Sequence, residues 1–341
     1  MAKKKAERKA RPSAESLAIT GASSFLGMRL AKALAEDGTF PKRILTLDIR
    51  EPAFASERIE YHRVDLTQPT ADSALAETFR DQACDTVVHL AFLDRPTKDQ
   101  SYAHEVEVIG TMHVLNACAQ TSVKKIVVVS TTAVYGASPK NPNYLTEDSP
   151  LGGNKNYRYI RDRIEVENLV RRFRDSHPDT AVTVLRFATI LGPTVRNLAT
   201  DYFRRFVVPT LMGYDPLVQF LHEDDAVHAL LSTIKRDCSD SYNIVGRGVL
   251  PLSTVISLMG KINVPLVHAA AYPMISALWL VNAADAPYQH LDYIRYLWVA
   301  DGQKAKRELG FEPRYSTREA VLGFAGAERL RKIHLASSET E

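Results

Sequence analysis

Cysteine is scarce here. Cys84, Cys118 and Cys238 are the only three, widely separated and odd in number. That excludes a disulfide framework, offers no zinc-ligand spacing and leads to the expectation of a reducing cytoplasm. An excess of charge is missing too. The net charge of +3 comes from 43 basic and 40 acidic residues, which singles out neither nucleic acid nor an acidic substrate as partner. The basic opening MAKKKAERKARP is not followed by the apolar run of a secretory leader, so residues 1–14 are expected to form a disordered basic tail. No internal repeat is evident. One long stretch, Ile262–Ala284, lacks charge altogether. A run of ~20 apolar residues can cross a bilayer, but Pro265, His268, Pro273 and Asn282 interrupt this one. The expectation is a buried or interfacial helix, with membrane-surface contact through 262–284 left open and Trp279 either core or lipid-facing.

What is present is the composition of a soluble globular protein, 45% hydrophobic and 24% charged, long enough for one large or two modest domains. The most informative stretch is LAITGASSFLGMRL. A short apolar strand, Leu17–Ile19, breaks at Gly21 and resumes with helical character at Phe25. Gly21 can take backbone angles that a β-carbon forbids, and Gly27 lets helix and sheet approach closely. Such a turn aims free amides and the positive end of a helix dipole at an anion, most favourably a pyrophosphate. The dinucleotide fingerprint wants a third glycine where Ser24 stands. About 20 residues on, Asp48 ends a second apolar strand, RILTLD, and a carboxylate there can accept from both hydroxyls of an adenosine ribose.

Further along, Glu60–Asp65, Thr86–Ala91, Lys125–Ser130 and Thr183–Phe187 read as strands. Asp72–Arg80, Val106–Thr121 and Tyr157–Arg174 read as helices. The strands are continuously apolar and alternate with helices, which predicts a parallel sheet covered on both faces. Pro139–Asn154 reads as a loop. Beyond Gly192-Pro193 the rhythm becomes irregular, with helices near Asp201–Phe206, Asp224–Lys235 and Leu252–Met259 and a short strand Tyr242–Val245. The expected division is a dinucleotide-binding domain over 15–190, a mainly substrate-binding lobe over 191–330 and a flexible tail over 331–341.

Two positions carry the chemistry. Ser130, Thr131 and Thr132 end a strand, and hydroxyls at the carboxyl end of a parallel strand face the ligand crevice. Tyr159 lies one helical turn before Arg163, on the same helix face. A cation beside a phenol stabilises the phenolate and lowers its pKa, which suits proton exchange with a substrate hydroxyl during hydride transfer. Tyr157 and Arg161 have the same spacing but point about 200° away, and the pattern of Asp162 and Glu165–Glu167 favours Tyr159. His222-Glu223 resembles the start of a zinc helix, but Ala226 takes the place of the second histidine, so no metal site is expected.

The blocks TGASSFLG, LTLD, VDL, HLAF, VIGT, VVVSTTAVYG, YIRDRIEVE, LRFATILGP, FLHEDDAVHAL and YNIVG occur in this order. With them the chain resembles an extended short-chain dehydrogenase/reductase of the NAD-dependent epimerase/dehydratase family, from about Leu17 to Ala327. LTEDSPLGG, RFRDSHPD and WVADGQKAKRELGFEPRYSTRE are similar to a bacterial subgroup labelled UDP-glucose 4-epimerase-like. The resemblance implies an α/β fold, a Rossmann-type doubly wound parallel sheet with a smaller C-terminal substrate-binding lobe.

It also implies roles. Gly21, Ser23, Ser24, Phe25, Leu26 and Gly27 match the pyrophosphate loop, Asp48 the ribose acid, and Asp65 with Leu66 the adenine contact. Leu90, Ala91 and Phe92 match the strand end against the cofactor. Thr131 matches the hydroxyl that holds the substrate oxygen and Tyr159 the acid/base, with Arg163 beside it. Phe187 and Thr189 match positions near nicotinamide and substrate. Thr132, His222 and Asp225 stand on the substrate side. Asp48 would repel a 2′-phosphate, so NAD is expected over NADP, although Arg50 could turn to bind one.

Three residues depart from the family pattern: Ser24 for glycine, Glu107 for the asparagine before V-x-G-T, and Arg163 for the lysine of Tyr-x-x-x-Lys. A guanidinium supplies charge but cannot release a proton near neutrality. The carboxylate pair of the 4,6-dehydratases is absent, since Thr132 and Ala133 follow Thr131. Three readings follow: a nucleotide-sugar 4-epimerase, a net dehydrogenase or reductase of a hydrophobic alcohol or ketone, and a non-catalytic NAD-binding sensor or scaffold. The resemblance further implies a homodimer through a bundle that includes the Tyr159 helix.

Overall fold

The computed structural model describes residues 16–37, 40–54, 56–154 and 156–338, so the expected tail over 1–14 lies outside the described residues. The first half alternates strand and helix. It runs β1 (Ser16–Thr20), α1 (Phe25–Asp37), β2 (Arg43–Asp48), β3 (Ile59–Arg63), α2 (Ala71–Asp81) and β4 (Thr86–His89). A nearly continuous helix follows, made of α3 (Gln100–His104), a π-helical turn (Glu105–Ile109) and α4 (Gly110–Ala119). Then come β5 (Lys125–Thr131), α5 (Arg158–Ser176) and β6 (Ala181–Phe187).

The second half contains β7 (Thr189–Leu191), α6 (Leu198–Arg204), β8 (Val207–Leu211), β9 (Leu217–Val218), β10 (Phe220–His222) and α7 (Glu223–Ile234). It continues with β11 (Ser241–Ile244), β12 (Leu250–Pro251), α8 (Leu252–Leu258), β13 (Ile262–Leu266) and α9 (His268–Leu280). The last helices are α10 (Gln303–Leu309) and α11 (Thr317–Ser338).

Seven strands form one sheet in the order β11-β6-β5-β4-β1-β2-β3, every pair parallel. The alternation of side chains explains why the strands are apolar throughout. Leu17 and Ile19 of β1 pack on one face with Leu30, Leu34 and Leu230. Ala18 between them faces the other core, with Leu45, Phe79, Val114 and Val166. The inner strands are thus buried on both sides, whereas β3 at the edge has no buried residue. The strand order reverses between β1 and β4, the switch point where open α/β sheets bind ligands.

The sheet draws on more of the chain than 15–190. β11 is its seventh strand, and α7 packs against α1. The second lobe has its own core, in which Phe203, Val208, Phe220, Val255 and Phe324 meet. Two further expectations change. Of the expected tail over 331–341, residues 331–338 continue α11, and 339–341 lie outside the described residues. The charge-free stretch is not buried: β13 pairs with β8, and of the thirteen residues of α9 only Ala271 is buried. Among the described residues no helix is long and apolar enough to cross a membrane.

Candidate active site

The turn after β1 is shaped by close approach. Gly21 has φ of +72°, and a β-carbon there would stand 2.5 Å from the Ala91 nitrogen. One on Gly27 would stand 2.4 Å from the Gly21 carbonyl oxygen. Both glycines are therefore required by the packing of turn, α1 and the end of β4. Ser24 is not in a left-handed conformation, so it needs no glycine. Its hydroxyl accepts from the Gly27 N–H (3.1 Å) and caps α1. Asp48 accepts from the backbone N–H of Ser23 (2.9 Å) and of Arg50 (3.1 Å), tying the second strand to the turn. The Arg50 side chain is exposed. Asp65 accepts from the hydroxyl and amide of Thr67, and these bonds hold its carboxyl below the usual range. Leu66 lies against Gly110 of α4.

A cavity of about 400 Å³ opens beside this turn. Ser24, Phe25 and Leu26 form one part of its wall, Leu90 and Phe92 another. Thr131, Tyr159, Arg163, Phe187 and Thr189 also line it. Ala91 sits behind the wall against Gly21. Three residues expected on the substrate side do not reach the cavity. Thr132 is buried beneath it, 2% exposed. His222 is buried at the start of α7, accepting from the Asp224 N–H through Nδ1 and stacked on Tyr315 at 3.8 Å. Asp225 is fully buried and accepts from the N–H groups of Arg314 and Tyr315, both at 3.0 Å. These two fasten α7 to the C-terminal segment.

Tyr159 and Arg163 face the cavity, whereas Tyr157 is 2% exposed and its hydroxyl meets His290 Nδ1 at 3.1 Å. The Arg163 guanidinium lies over the Phe92 ring (4.5 Å) and beside the Tyr159 ring (5.5 Å). It is paired with Glu107, Nε to Oε2 3.1 Å, both side chains under 10% exposed. The two residues also share Leu93. Arg163 donates to the Leu93 carbonyl (2.5 Å), and the Leu93 N–H donates to Glu107 Oε1 (3.1 Å). The Tyr159 hydroxyl donates to the same carbonyl at 3.4 Å. Glu107 sits on the π-helical turn, where the Gly110 N–H reaches the Glu105 carbonyl. Such turns widen the helix locally and often mark functional sites.

This corrects the expected tuning of the phenol. Burial raises the Tyr159 pKa above its ordinary value; the Arg163 charge lowers it by less, and the Glu107 carboxylate raises it again. Burial likewise pushes the Glu107 carboxyl up to about 6, against the pull of Arg163.

Behind these residues lies a second polar chain. His89 is fully buried, with Nδ1 2.6 Å from Thr20 Oγ1 and Nε2 2.9 Å from Thr111 Oγ1. The Thr111 hydroxyl spends its proton on the Glu107 carbonyl. Nε2 therefore carries the ring proton, and Nδ1 accepts from Thr20. Ser130 turns from the crevice and donates to Glu167 (2.5 Å), which also takes a forked pair from Arg186. Arg186 and Asn243 both bond the Tyr135 hydroxyl at 2.7 Å. The conspicuous motif residues Ser130, Tyr135, Glu167, Arg186 and Asn243 thus hold β5, α5, β6 and β11 together.

Sequence reasoning passed over several cavity residues, among them Arg196, Asn197, Arg205, Gln219 and Trp298. Arg196 and Asn197 follow directly on LGPTV, a position that could have flagged them. The others come from irregular segments with no periodic signal. Among the described residues, His104, Asp162 and Glu165 bring potential metal ligands within 4.8 Å of one another. Arg158 and Arg161 each stand 3.9 Å from Asp162 and already supply positive charge there.

A model of the NAD dependent epimerase/dehydratase family matches residues 17–245. The chain belongs to this family. An uncharacterized protein of Mycobacterium tuberculosis is 32% identical over 309 residues, 89% of this chain and 81% of its own length. A UDP-glucuronate 4-epimerase of Thermodesulfobacterium geofontis is 24% identical, over 89% of this chain and 93% of its own. Solved epimerase/dehydratase structures share the fold. MoeE5 in complex with UDP-glucuronic acid and NAD superposes with a TM-score of 0.72 at 23% identity, covering 93% of this chain and 99% of that one. UDP-glucose 4-epimerase of Thermotoga maritima with UDP-glucose gives 0.73 at 18%, with the same coverage.

Proposed function

We propose that this member of the epimerase/dehydratase family binds NAD at the β1–β4 crevice and acts on the C4 carbon of a nucleotide sugar in an epimerase-like cycle without net redox change. The observation that carries the reading is the meeting of Thr131 and Tyr159 on one cavity whose wall also includes the first turn of α1. The fit to a dinucleotide rests on the glycine cradle, on the amides at the start of α1 and on the Asp48 carboxylate beside the turn. Asp48 would hold the adenosine ribose, Ser24–Leu26 the diphosphate and Phe187 the nicotinamide end.

When bound, NAD supplies the acceptor and donor of hydride. Thr131 holds the substrate oxygen by its hydroxyl. Tyr159, as phenolate, takes the proton of the C4 hydroxyl as the hydride leaves that carbon, and returns it to the carbonyl oxygen when the hydride comes back to the opposite face. Arg163 stabilises that phenolate. A homodimer through α5 is part of the same proposal.

The protein as purified should release about one NAD per chain on denaturation. UDP-glucuronic acid and UDP-glucose, the ligands named for the neighbouring structures, are the first substrates to screen. Tyr159→Phe should lower turnover by about a hundredfold to ten-thousandfold, in line with the loss of a general acid–base group, with NAD retained. Unchanged turnover would overturn the assignment of Tyr159. NAD binding without turnover on any substrate would favour the sensor reading.

A second reading has its own observation. Much of the cavity wall is apolar, with Val218, Leu252, Leu266, Ile275 and Ile294 contributed by the second lobe. That suits an alcohol or ketone with a hydrophobic body. Reversible exchange of NAD(H) together with net reduction of such a ketone would select it.

A further inference from the structure

We infer, on the nucleotide-sugar reading above, that His290 is a further substrate-binding residue, whose Nε2–H is offered from the second lobe to a neutral sugar hydroxyl beside the reacting carbon. His290 lies on the short 3₁₀ turn Tyr288–Ile294 and lines the cavity. That turn is fastened over the end of β5, where the Tyr293 hydroxyl donates to the Ala133 carbonyl (2.9 Å), two residues past Thr131. It also packs on the start of α5. The rings of His290 and Tyr157 are 6.0 Å apart, and those of Tyr157 and Tyr159 are 5.9 Å apart. No motif or period marks this histidine in the sequence.

The neighbour of the ring fixes its tautomer. Nδ1 meets the Tyr157 hydroxyl at 3.1 Å. Tyr157 is buried, and its hydroxyl has no other partner among the described residues. A proton on Nδ1 would leave that buried hydroxyl without an acceptor, which is costly. Tyr157 therefore donates to Nδ1, and the ring proton sits on Nε2. Nε2 itself has no protein partner among the described residues. Desolvation lowers the His290 pKa to about 4, so near neutrality the ring is a donor without a charge.

The other polar side chains that line the cavity from Asn197 onward are engaged within the protein. The amides of Asn197 and Gln219 donate to the carbonyls of Ile190 (2.8 Å) and Gly246 (3.3 Å). Tyr202 donates to the Pro209 carbonyl (2.6 Å), Thr210 to the Asn263 side chain (2.6 Å) and Trp298 to the Tyr293 carbonyl (3.0 Å). Arg205 is paired with Asp285. Among the neutral side chains of this stretch, only His290 keeps a donor nitrogen with no protein partner. A neutral donor suits a hydroxyl. A carboxylate would draw a second proton onto the ring, against the desolvation that keeps it neutral. Leu291 and Ile294 line the cavity from the same turn, so a ligand without an oxygen at this place would strand the N–H in apolar surroundings. In the proposed cycle Thr131 and Tyr159 hold the C4 oxygen, which leaves a neighbouring hydroxyl for His290.

The test is calorimetric binding of UDP and of UDP-glucose to the full-length protein as purified, compared with His290→Phe and His290→Gln. UDP lacks the sugar and reports on the rest of the cavity. His290→Phe should bind UDP-glucose about fivefold more weakly, the loss of one neutral hydrogen bond, and should bind UDP as the parent does. His290→Gln keeps a side-chain donor and should recover part of the loss. Unchanged affinity of His290→Phe for UDP-glucose overturns the inference and leaves the nucleotide-sugar reading standing. An equal loss for UDP and UDP-glucose also overturns it, because that marks damage to the cavity as a whole. So does a His290→Gln variant as weak as His290→Phe, which would assign the effect to ring packing. A loss seen with UDP-glucuronic acid but not with UDP-glucose would make His290 a partner of a carboxylate and overturn the hydroxyl assignment. A parent that binds neither UDP nor UDP-glucose overturns the nucleotide-sugar reading and the inference with it.

Discussion

At the scale of single residues, the two departures near Tyr159 belong together. A guanidinium buried without a counter-ion is costly, and so is a buried carboxylate. Glu107 and Arg163 remove both problems by pairing with each other and clamping the two polar groups of Leu93. Read separately in the sequence, they look like two defects in an active site. Fifty-six positions separate them, and only the packing of the π-helical turn against α5 joins them. A double-mutant cycle measures the link. Glu107→Asn and Arg163→Met should each reduce urea stability by about 3–5 kcal/mol, because each strands the other buried charge. The double variant should recover about 1–3 kcal/mol of the summed loss, the range of coupling for residues in contact. Additive losses would mean that the pair does not act as a unit.

At the scale of elements, the first turn of α1 shows what a motif conceals. The sequence makes Ser24 a missing glycine, but its backbone is ordinary and its hydroxyl caps the helix. Ser24→Ala should therefore cost about 1 kcal/mol of stability, and Ser24→Gly only a few tenths. Equal losses in thermal or urea unfolding would show that the capping bond contributes nothing. The same scale explains the misplaced substrate residues. His222 and Asp225 stand in a motif at the start of α7, and motif position says nothing of the direction of a side chain. Their partners, Tyr315 and Arg314, lie about ninety residues further on, a separation that no local pattern reveals. The continuously apolar strands, by contrast, were legible one by one, because burial on both faces leaves its mark in every residue.

At the scale of the whole molecule, the buried polar chains couple the halves and set a dependence on pH. His89 is buried between Thr20 and Thr111, and His290 is half-buried beside Tyr157; desolvation lowers their pKa values to about 3 and about 4. Both stay neutral in the folded state, while in the unfolded chain they take up protons near pH 6.5. Below that pH the unfolded state binds more protons, so the stability these groups contribute is complete above about 6.5 and is lost as the pH falls towards 4. The slope is at most about 1.4 kcal/mol per pH unit for each histidine. Urea midpoints should fall between pH 7 and pH 5, and His290→Phe should shrink that fall. A variant with an unchanged pH profile would show that His290 is not held neutral.

By itself the sequence determined the strand–helix alternation, the glycine turn with its acid at the end of the second strand, and the placing of Tyr159 and Arg163 on one helix face. These follow from periodicity and spacing over a few residues. Tertiary structure alone decided the rest: Glu107 neutralises Arg163, the raised Tyr159 phenol follows from burial, β11 completes the sheet, and the charge-free stretch lies open instead of in the core. Each depends on which side chains meet across long separations and how much water they exclude, and a local pattern carries no record of either.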